Sequence, residues 1–161
     1  MKNTKLTLAA LAIVAGAFTS CKKKKAEAPA APASTVQSFT YGTNNFAWTQ
    51  NGNVFSAVLT VDAITTDILS KGTVNVFIGD GTGYNWMSMP VTLNGIQWRD
   101  NIYIHTVQVN AEESKTGNTS FANPGVQQFK VVVVSSSARI AHPDVDLNNY
   151  KEIKEAFHLA D

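Results

Sequence analysis

Apolar and polar residues alternate with a period of two over much of the chain beyond residue 36, which is typical of β-strands that bury one face. Residues 55–61 and 74–78 show this alternation most clearly. Phe129 and residues 131–134 are all apolar and mostly β-branched, which predicts a central strand covered on both faces. Residues 101–110 predict another long strand. Weaker strand candidates are residues 36–41, 45–50 and 84–89.

Turn signals separate these segments. Three dipeptides that favour tight hairpins are Asn51-Gly52, Asp80-Gly81 and Asn94-Gly95. Residues 65–70 predict a short helical turn between two strands, and we expect Gly72 to end it in the left-handed conformation. Because long helices do not alternate with the strands, the pattern predicts antiparallel pairing rather than an all-parallel sheet.

The last segment changes its period from two to that of a helix. Tyr150, Ile153 and Phe157 share one face at helical spacing, with two alanines beside them. Asn149 is a favourable N-cap, and Glu152 is its capping-box partner. We therefore predict a helix over residues 147–159 that docks its apolar stripe on a sheet. The predicted fold is mainly β: an antiparallel β-sandwich with one C-terminal α-helix packed on the sheet.

Residues 1–20 have the pattern of a lipoprotein signal peptide. A start with two lysines precedes an uncharged, mostly apolar run over residues 6–18. This run is shorter than the about 20 residues that a membrane-spanning helix needs. Cys21 directly follows Phe18-Thr19-Ser20, which resembles the lipobox of bacterial lipoproteins and implies lipidation of Cys21. The alternative is a secreted protein cut after Ala17, at an Ala-x-Ala site.

Residues 21–35 are predicted to connect this anchor to the folded domain, residues 36–161. Four lysines follow the cysteine and either contact anionic head groups or form a solvated spacer: Lys22, Lys23, Lys24 and Lys25. Residues 26–34 are rich in Ala and Pro and read as an extended tether. No Asp follows Cys21, so by resemblance to other lipoproteins we expect an outer-membrane protein whose domain faces the periplasm.

Composition excludes several classes of function. The formal net charge is +1, which argues against a nucleic-acid-binding protein. One cysteine excludes an internal disulfide framework and multi-cysteine metal sites. The common nucleotide-binding and hydrolase motifs do not occur, so we predict no catalytic residue, no metal site and no cofactor. His105 is interpreted as a packed strand residue, and His142, Asp144 and Asp146 as a polar loop before the helix; the alternatives are a small hydrolase or a cation site.

Aromatic residues near predicted loops are the most suggestive feature for binding. The candidate ligand-binding residues are Tyr84, Trp86, Trp98 and Arg99. Flat rings beside polar groups can stack on sugar faces, whereas aromatic residues in a small β-domain more often belong to the core. A structure with Trp86 and Trp98 exposed and coplanar would favour sugar binding.

The pattern from Trp48 to Phe157 resembles a group of small lipoproteins common in Bacteroides-like bacteria. It consists of a Thr66-Asp67-Ile68-Leu69 turn with Gly72, the segment 86–90, the strand 129–134 and the helix that Asn149 begins. The resemblance implies a β-rich envelope domain and no catalytic residues. We expect a non-enzymatic binding or structural accessory module with a membrane anchor and a glycan or an envelope protein as partner. The alternative is a carbohydrate-binding module.

Overall fold

The computed structural model describes residues 35–42, 48–81, 85–113 and 122–160, all within one compact unit, Pro32–Asp161. The predicted signal peptide, Cys21 and the four lysines lie outside the described residues. Nine strands fall within these ranges: β1 (Val36–Gly42), β2 (Thr49–Asn51), β3 (Val54–Thr60), β4 (Thr73–Gly79), β5 (Trp86–Ser88), β6 (Val91–Leu93), β7 (Ile96–Tyr103), β8 (Thr106–Glu113) and β9 (Gln128–Val134). The helices described are α1 (Thr66–Lys71), α2 (Ser136–Ala141) and α3 (Tyr150–Phe157).

The strands form two antiparallel sheets. The four-stranded sheet has the order β1-β9-β4-β5, and the five-stranded sheet has the order β2-β3-β8-β7-β6. One hydrophobic cluster contains residues of both sheets, so the two sheets pack face to face. With α3 at the C-terminal end, this arrangement confirms the predicted mainly β, sandwich-like fold.

Aromatic residues anchor the core between the sheets. The Trp98 ring lies 5.9 Å from the Phe129 ring and 6.1 Å from the Trp48 ring, measured between centroids. Aliphatic side chains from alternate positions of β3 and β8 complete this layer, including Leu59, Val107 and Val109. The sequences of these strands alternate with a period of two because each strand buries only one of its faces.

A second, smaller core lies between the four-stranded sheet and the helices. Phe77, Val132 and Val134 point away from the five-stranded sheet and pack with Tyr150 and Ile153 of α3. Residues 129–134 of β9 are therefore buried on both faces, with β1 and β4 on either side, which confirms the predicted central strand. The described residues form three layers: five strands, four strands and a helical cover.

The C-terminal helix is capped as predicted but is shorter. The Asn149 side chain accepts hydrogen bonds from the backbone N–H groups of Lys151 and Glu152 at 3.1 and 3.5 Å. The Glu152 carboxylate in turn accepts from the Asn149 amide at 2.9 Å. Because this cap fixes the first turn, α3 begins at Tyr150 instead of residue 147. It ends where His158 adopts a left-handed backbone (φ 52°).

The predicted turn at residues 65–70 is confirmed as α1, with Thr65 as its N-cap, but the role expected for Gly72 is wrong. Gly72 has a φ of −87°, so it is not a left-handed cap. Its small size matters instead, because a Cβ there would lie 2.6 Å from the backbone oxygen of Val134. The structure also contains α2, which the sequence analysis did not predict.

Two of the predicted hairpins have distinct turn geometries. Asn94 and Gly95 both have positive φ angles, 52° and 79°, and connect β6 to β7 as a two-residue turn. Between β2 and β3 the turn residues are Gly52 and Asn53, and Gly52 alone of these two has a positive φ. The third dipeptide, Asp80-Gly81, begins a longer connection from β4 to β5.

The prediction of one strand over residues 101–110 is wrong. The chain reverses at Ile104 and His105, so that Tyr103 pairs with Thr106 across a tight turn. His105 takes a positive φ of 60° and is exposed, which overturns its placement on a packed strand face. Histidine is among the residues that tolerate this backbone region, but no glycine or proline marks the turn. Strand β6 and most of β7 were also missed.

Candidate functional site

The structure separates the two tryptophans that the sequence suggested as a sugar platform. Trp98 has 1% of its surface exposed and lies between the sheets on β7, so its ring offers no face to a ligand. Its proposed role at a surface site is therefore wrong, because a ring of this size was needed to fill the core. Trp86 lies in the other sheet, on β5. Tyr84 lies outside the described residues.

Trp86 is half-buried in the layer beneath α3. Trp86 pairs with Gly79 across β5 and β4, and a Cβ on Gly79 would lie 3.4 Å from the indole ring, at contact distance. Its ring centroid lies 6.0 Å from that of Tyr150 in an edge-to-face arrangement. The indole thus helps to seat α3 on the four-stranded sheet.

Lys130 is a buried cation in this same layer. Its side chain points to the helical side of β9 with only 4% of its surface exposed. The Nζ atom donates to the Tyr150 hydroxyl at 3.0 Å and lies 4.7 and 4.9 Å from the ring centroids of Tyr150 and Trp86. Two aromatic faces and one hydroxyl stabilise the ammonium group here, and no ion pair of Lys130 occurs among the described residues. This cluster holds the helix, and its ammonium group is shielded from solvent.

The histidines considered for catalysis have structural contacts. The His105 Nδ1 atom lies 3.1 Å from the backbone oxygen of Asp62, so a carbonyl rather than a carboxylate orients the ring. His142 ends α2 and packs edge-to-face on Phe157, 4.7 Å between centroids. The Asp146 carboxylate accepts from the backbone N–H of Asn148 at 2.9 Å. Within the described ranges, no group of three or more His, Cys, Asp or Glu residues could hold a metal ion.

The fourth candidate, Arg99, lies on a surface that the sequence analysis did not identify. The outer sides of β3, β8 and β7 carry twelve side chains in four rows across the strands, which we call the polar face. The rows are Val54, Glu112 and Gln97; Ser56, Asn110 and Arg99; Val58, Gln108 and Asn101; and Thr60, Thr106 and Tyr103. The buried residues of the described helices pack elsewhere, so none of these helices covers the polar face.

Hydrogen bonds between side chains organise one half of the polar face. Glu112 lies 3.4 Å from the Arg99 guanidinium and accepts from the Asn53 amide at 3.0 Å. Arg99 also donates to Gln97. In the next row, the Ser56 hydroxyl donates to Asn110 at 2.7 Å. These contacts fix the side chains before any ligand arrives, which lowers the entropy cost of binding.

A shallow cleft of about 270 Å³ opens over this organised half. Its lining residues are Val54, Gln97, Arg99, Asp100, Asn101, Asn110 and Glu112. Burial raises the pKa of Asp100 above its ordinary value, while its own backbone N–H opposes the shift. Strand alternation places the Asp100 side chain on the core side of β7, between Trp98 and Ile102. The groups offered to a ligand are therefore mainly amides, a guanidinium and a carboxylate.

The chain matches no protein-family model, no curated protein and no solved structure. The resemblance to small envelope lipoproteins therefore stays a prediction. Among the described helices, none has the length and apolar character needed to cross a membrane. The candidate site is thus defined by its own geometry: a polar sheet face with side-chain hydrogen bonds that no described helix covers.

Proposed function

We propose that this protein is a non-enzymatic binding module of the bacterial cell envelope, anchored by lipid at Cys21, and that the polar face is its binding surface. The observation that carries the binding role is the organised polar face. Its side chains are ordered by Arg99–Glu112 and Ser56–Asn110 contacts, although packing in the core requires nothing of them. Polar side chains held in place on a rigid sheet are suited to recognition.

The anchor is supported by the sequence. The apolar run of residues 6–18 leads directly to the single cysteine of the chain. Thr35, the first described residue, donates its backbone N–H to the Ser135 hydroxyl at 3.0 Å beside the start of β1. A tether of residues 22–34 at about 3 Å per residue would leave the domain within roughly 40 Å of the bilayer.

A non-enzymatic role is favoured by the surroundings of the titratable groups. His105 is oriented by a backbone carbonyl and lies on a hairpin turn. Among the described residues it has no carboxylate partner of the kind that a general base in a Ser-His-Asp triad uses. On the polar face, Glu112 is bound by Arg99 and Asn53. Such contacts position the carboxylate as a hydrogen-bond acceptor for a ligand.

The anchor is tested with the full-length chain expressed in a Gram-negative host and labelled with an alkyne fatty acid. We expect the wild-type protein to be labelled and retained in the membrane fraction. Cys21→Ala should abolish both, and the matched control Ser34→Ala should retain both. Mass spectrometry identifies the first residue of the mature chain. A chain that begins at residue 18, or a Cys21→Ala variant that stays acylated, would contradict the proposed anchor.

A further inference from the structure

We infer that the polar face binds a neutral oligosaccharide that lies along β7 and β8, with one sugar ring in the cleft. The inference rests on the proposed binding role of this face and adds the chemical class of its ligand. It uses different residues from the tryptophan pair suggested by the sequence. Of the four candidates named there, Arg99 alone belongs to the polar face.

The composition of the cleft matches the hydroxyl groups of a sugar. Each hydroxyl donates one hydrogen bond and accepts others, and amide side chains offer both a donor and an acceptor in one plane. Asn101 lines the cleft, and Gln108 stands opposite it on β8, just outside the lining. Neither makes a side-chain hydrogen bond within the described residues. Arg99 and Glu112 add a fixed pair of donors and acceptors in the neighbouring rows. Neighbouring hydroxyls on one ring can engage such groups together.

Charge favours a neutral ligand over an ionic one. The Arg99 guanidinium and the Glu112 carboxylate lie 3.4 Å apart, so the charges on the polar face largely cancel. A polyanion such as a nucleic acid would meet the Glu112 carboxylate, and a polycation would meet Arg99. A phospholipid head group would find one cation that is already paired. A ligand with hydroxyl groups and no formal charge meets neither repulsion.

The size of the cleft favours one sugar ring at a time. Its volume of about 270 Å³ lies just below the roughly 300 Å³ at which pockets for drug-sized ligands begin. The cleft is open on its outer side, as a chain that continues past it requires. A short peptide would bind more naturally to the backbone of a sheet edge than to the middle of a sheet.

The outer rows of the polar face extend the site beyond the cleft. Tyr103 lies on the same side of β7 as Gln97, and 53% of its surface is exposed. The two residues are six positions apart, which corresponds to about 20 Å along a strand. A ring that reaches Tyr103 can stack on its phenol face. Val58 presents an exposed apolar surface two strands away on β3, in the row next to that of Tyr103. The face therefore accommodates an oligosaccharide of several units rather than a single sugar.

Binding is tested with the protein purified in detergent micelles after expression of the full-length chain, in whatever processed form that expression yields. The probes are neutral hexasaccharides of glucose, mannose, xylose and N-acetylglucosamine, compared with uronic-acid and sulfated oligosaccharides of equal length. Surface polysaccharide isolated from the source bacterium separates a ligand of its own envelope from an external one. We expect at least one neutral probe to bind by titration calorimetry, with little change between 50 and 300 mM salt.

Variants locate the site. Arg99→Ala and Asn110→Ala should each weaken binding of the neutral probe at least tenfold. Tyr103→Ala should weaken binding of the hexasaccharide more than that of a disaccharide. Lys151→Ala on α3, which is exposed and far from the polar face in the layer order, is the matched control and should bind normally. Circular dichroism and melting temperature establish that each variant is folded.

Three outcomes would overturn the inference: binding of charged probes only, binding that survives both Arg99→Ala and Asn110→Ala, or no binding of any probe by the folded protein. These outcomes remain separate from the anchor, since fatty-acid labelling of Cys21 does not depend on the polar face. If labelling persists while all probes fail, the glycan inference is wrong and the anchor stands. Crosslinking to an envelope protein that Arg99→Ala abolishes would assign the face to a protein partner instead.

Discussion

The outer face of the four-stranded sheet is covered by α3, whereas no described helix packs on the outer face of the five-stranded sheet, which we call the bare face. On the covered face Phe77, Val132 and Val134 meet Tyr150 and Ile153 of α3. On the bare face the corresponding positions of the central strand β8 are polar. A sandwich of this size needs only one face of each sheet for its core. The second face of one sheet supports a helix, and the second face of the other is the proposed binding surface.

The two faces differ in the sequence pattern of their central strands, β9 and β8. In β9, residues 129–134 are all buried, whereas β8 alternates buried Val107 and Val109 with partly exposed Gln108 and Asn110. A strand that packs on both sides reads as a continuous apolar run, and a strand that packs on one side alternates. Lys130 interrupts the apolar run of β9 because two aromatic rings replace water around its ammonium group.

The largest effect is expected from a truncation under the helix. Ile153→Ala should lower the free energy of unfolding by about 2–5 kcal/mol, because Ile153 is fully buried and its removal leaves a cavity. Gln108→Ala, at the centre of the bare face, should change it by less than about 0.5 kcal/mol. Urea unfolding followed by circular dichroism measures both.

Equal effects of the two substitutions on the free energy of unfolding would contradict the distinction between the covered and the bare face. A large loss for Gln108→Ala would mean that the bare face is packed in solution. A small loss for Ile153→Ala would mean that α3 contributes little to stability. In either case the contrast between a structural face and a binding face would be wrong.

The fold was predictable where local patterns act alone. The alternation in β3, the apolar run in β9 and the Asn149–Glu152 cap each depend on neighbours close in sequence, and each is confirmed. The turn at residues 104–105 lacks the usual turn residues, and it is imposed by pairing between β7 and β8 and by contacts of His105 with Asp62 and Ile64. Gly72 was misread because its requirement comes from a distant carbonyl.

The candidate site was less predictable than the fold. Arg99 was named, but Asn110, Glu112 and Ser56 were not, because their meeting depends on the register of three strands. The polar residues at alternate positions of residues 106–112 indicate that one face of this strand is exposed. They do not indicate which residues of the adjacent strands lie beside that face. Trp98 was misplaced because β7 was not recognised, and a tryptophan beside Arg99-Asp100-Asn101 resembles a loop residue when its strand is unknown.

The covered face should also depend on the contact between Lys130 and Tyr150. Tyr150→Phe removes the hydroxyl that accepts from Lys130 Nζ and should cost about 1 kcal/mol of unfolding free energy. In a Lys130→Met background the same substitution should cost much less, because the donor is already gone. A double-mutant cycle by urea unfolding measures this coupling. Additive effects would show that the Lys130–Tyr150 contact does not help to hold α3 on the sheet.

The smallest effect is expected at Asp100, a polar residue on the inner side of the five-stranded sheet. Asp100 pairs with Val109 and lies on the core side of β7, and burial raises the pKa of its carboxyl in the folded state. Because the pKa is raised in the folded state, ionisation of this carboxyl destabilises the fold. The destabilisation is absent below the unfolded-state pKa of about 3.9, and it grows as pH rises from there through the folded-state pKa. Asp100→Asn should therefore raise the melting temperature at pH 7, and the gain should vanish below about pH 3.

Differential scanning calorimetry from about pH 2 to pH 7 measures this dependence. Asp144→Asn in the exposed loop before α3 is the matched control. The control should show no comparable gain, because its carboxylate stays in water. If Asp100→Asn instead lowers the melting temperature at pH 7, the ionised carboxylate has a stabilising partner. The inner side of the five-stranded sheet would then carry a stabilising polar contact. In that case the sheet would not divide cleanly into an apolar inner side and a polar outer side, although the residues around Asp100 are buried and apolar.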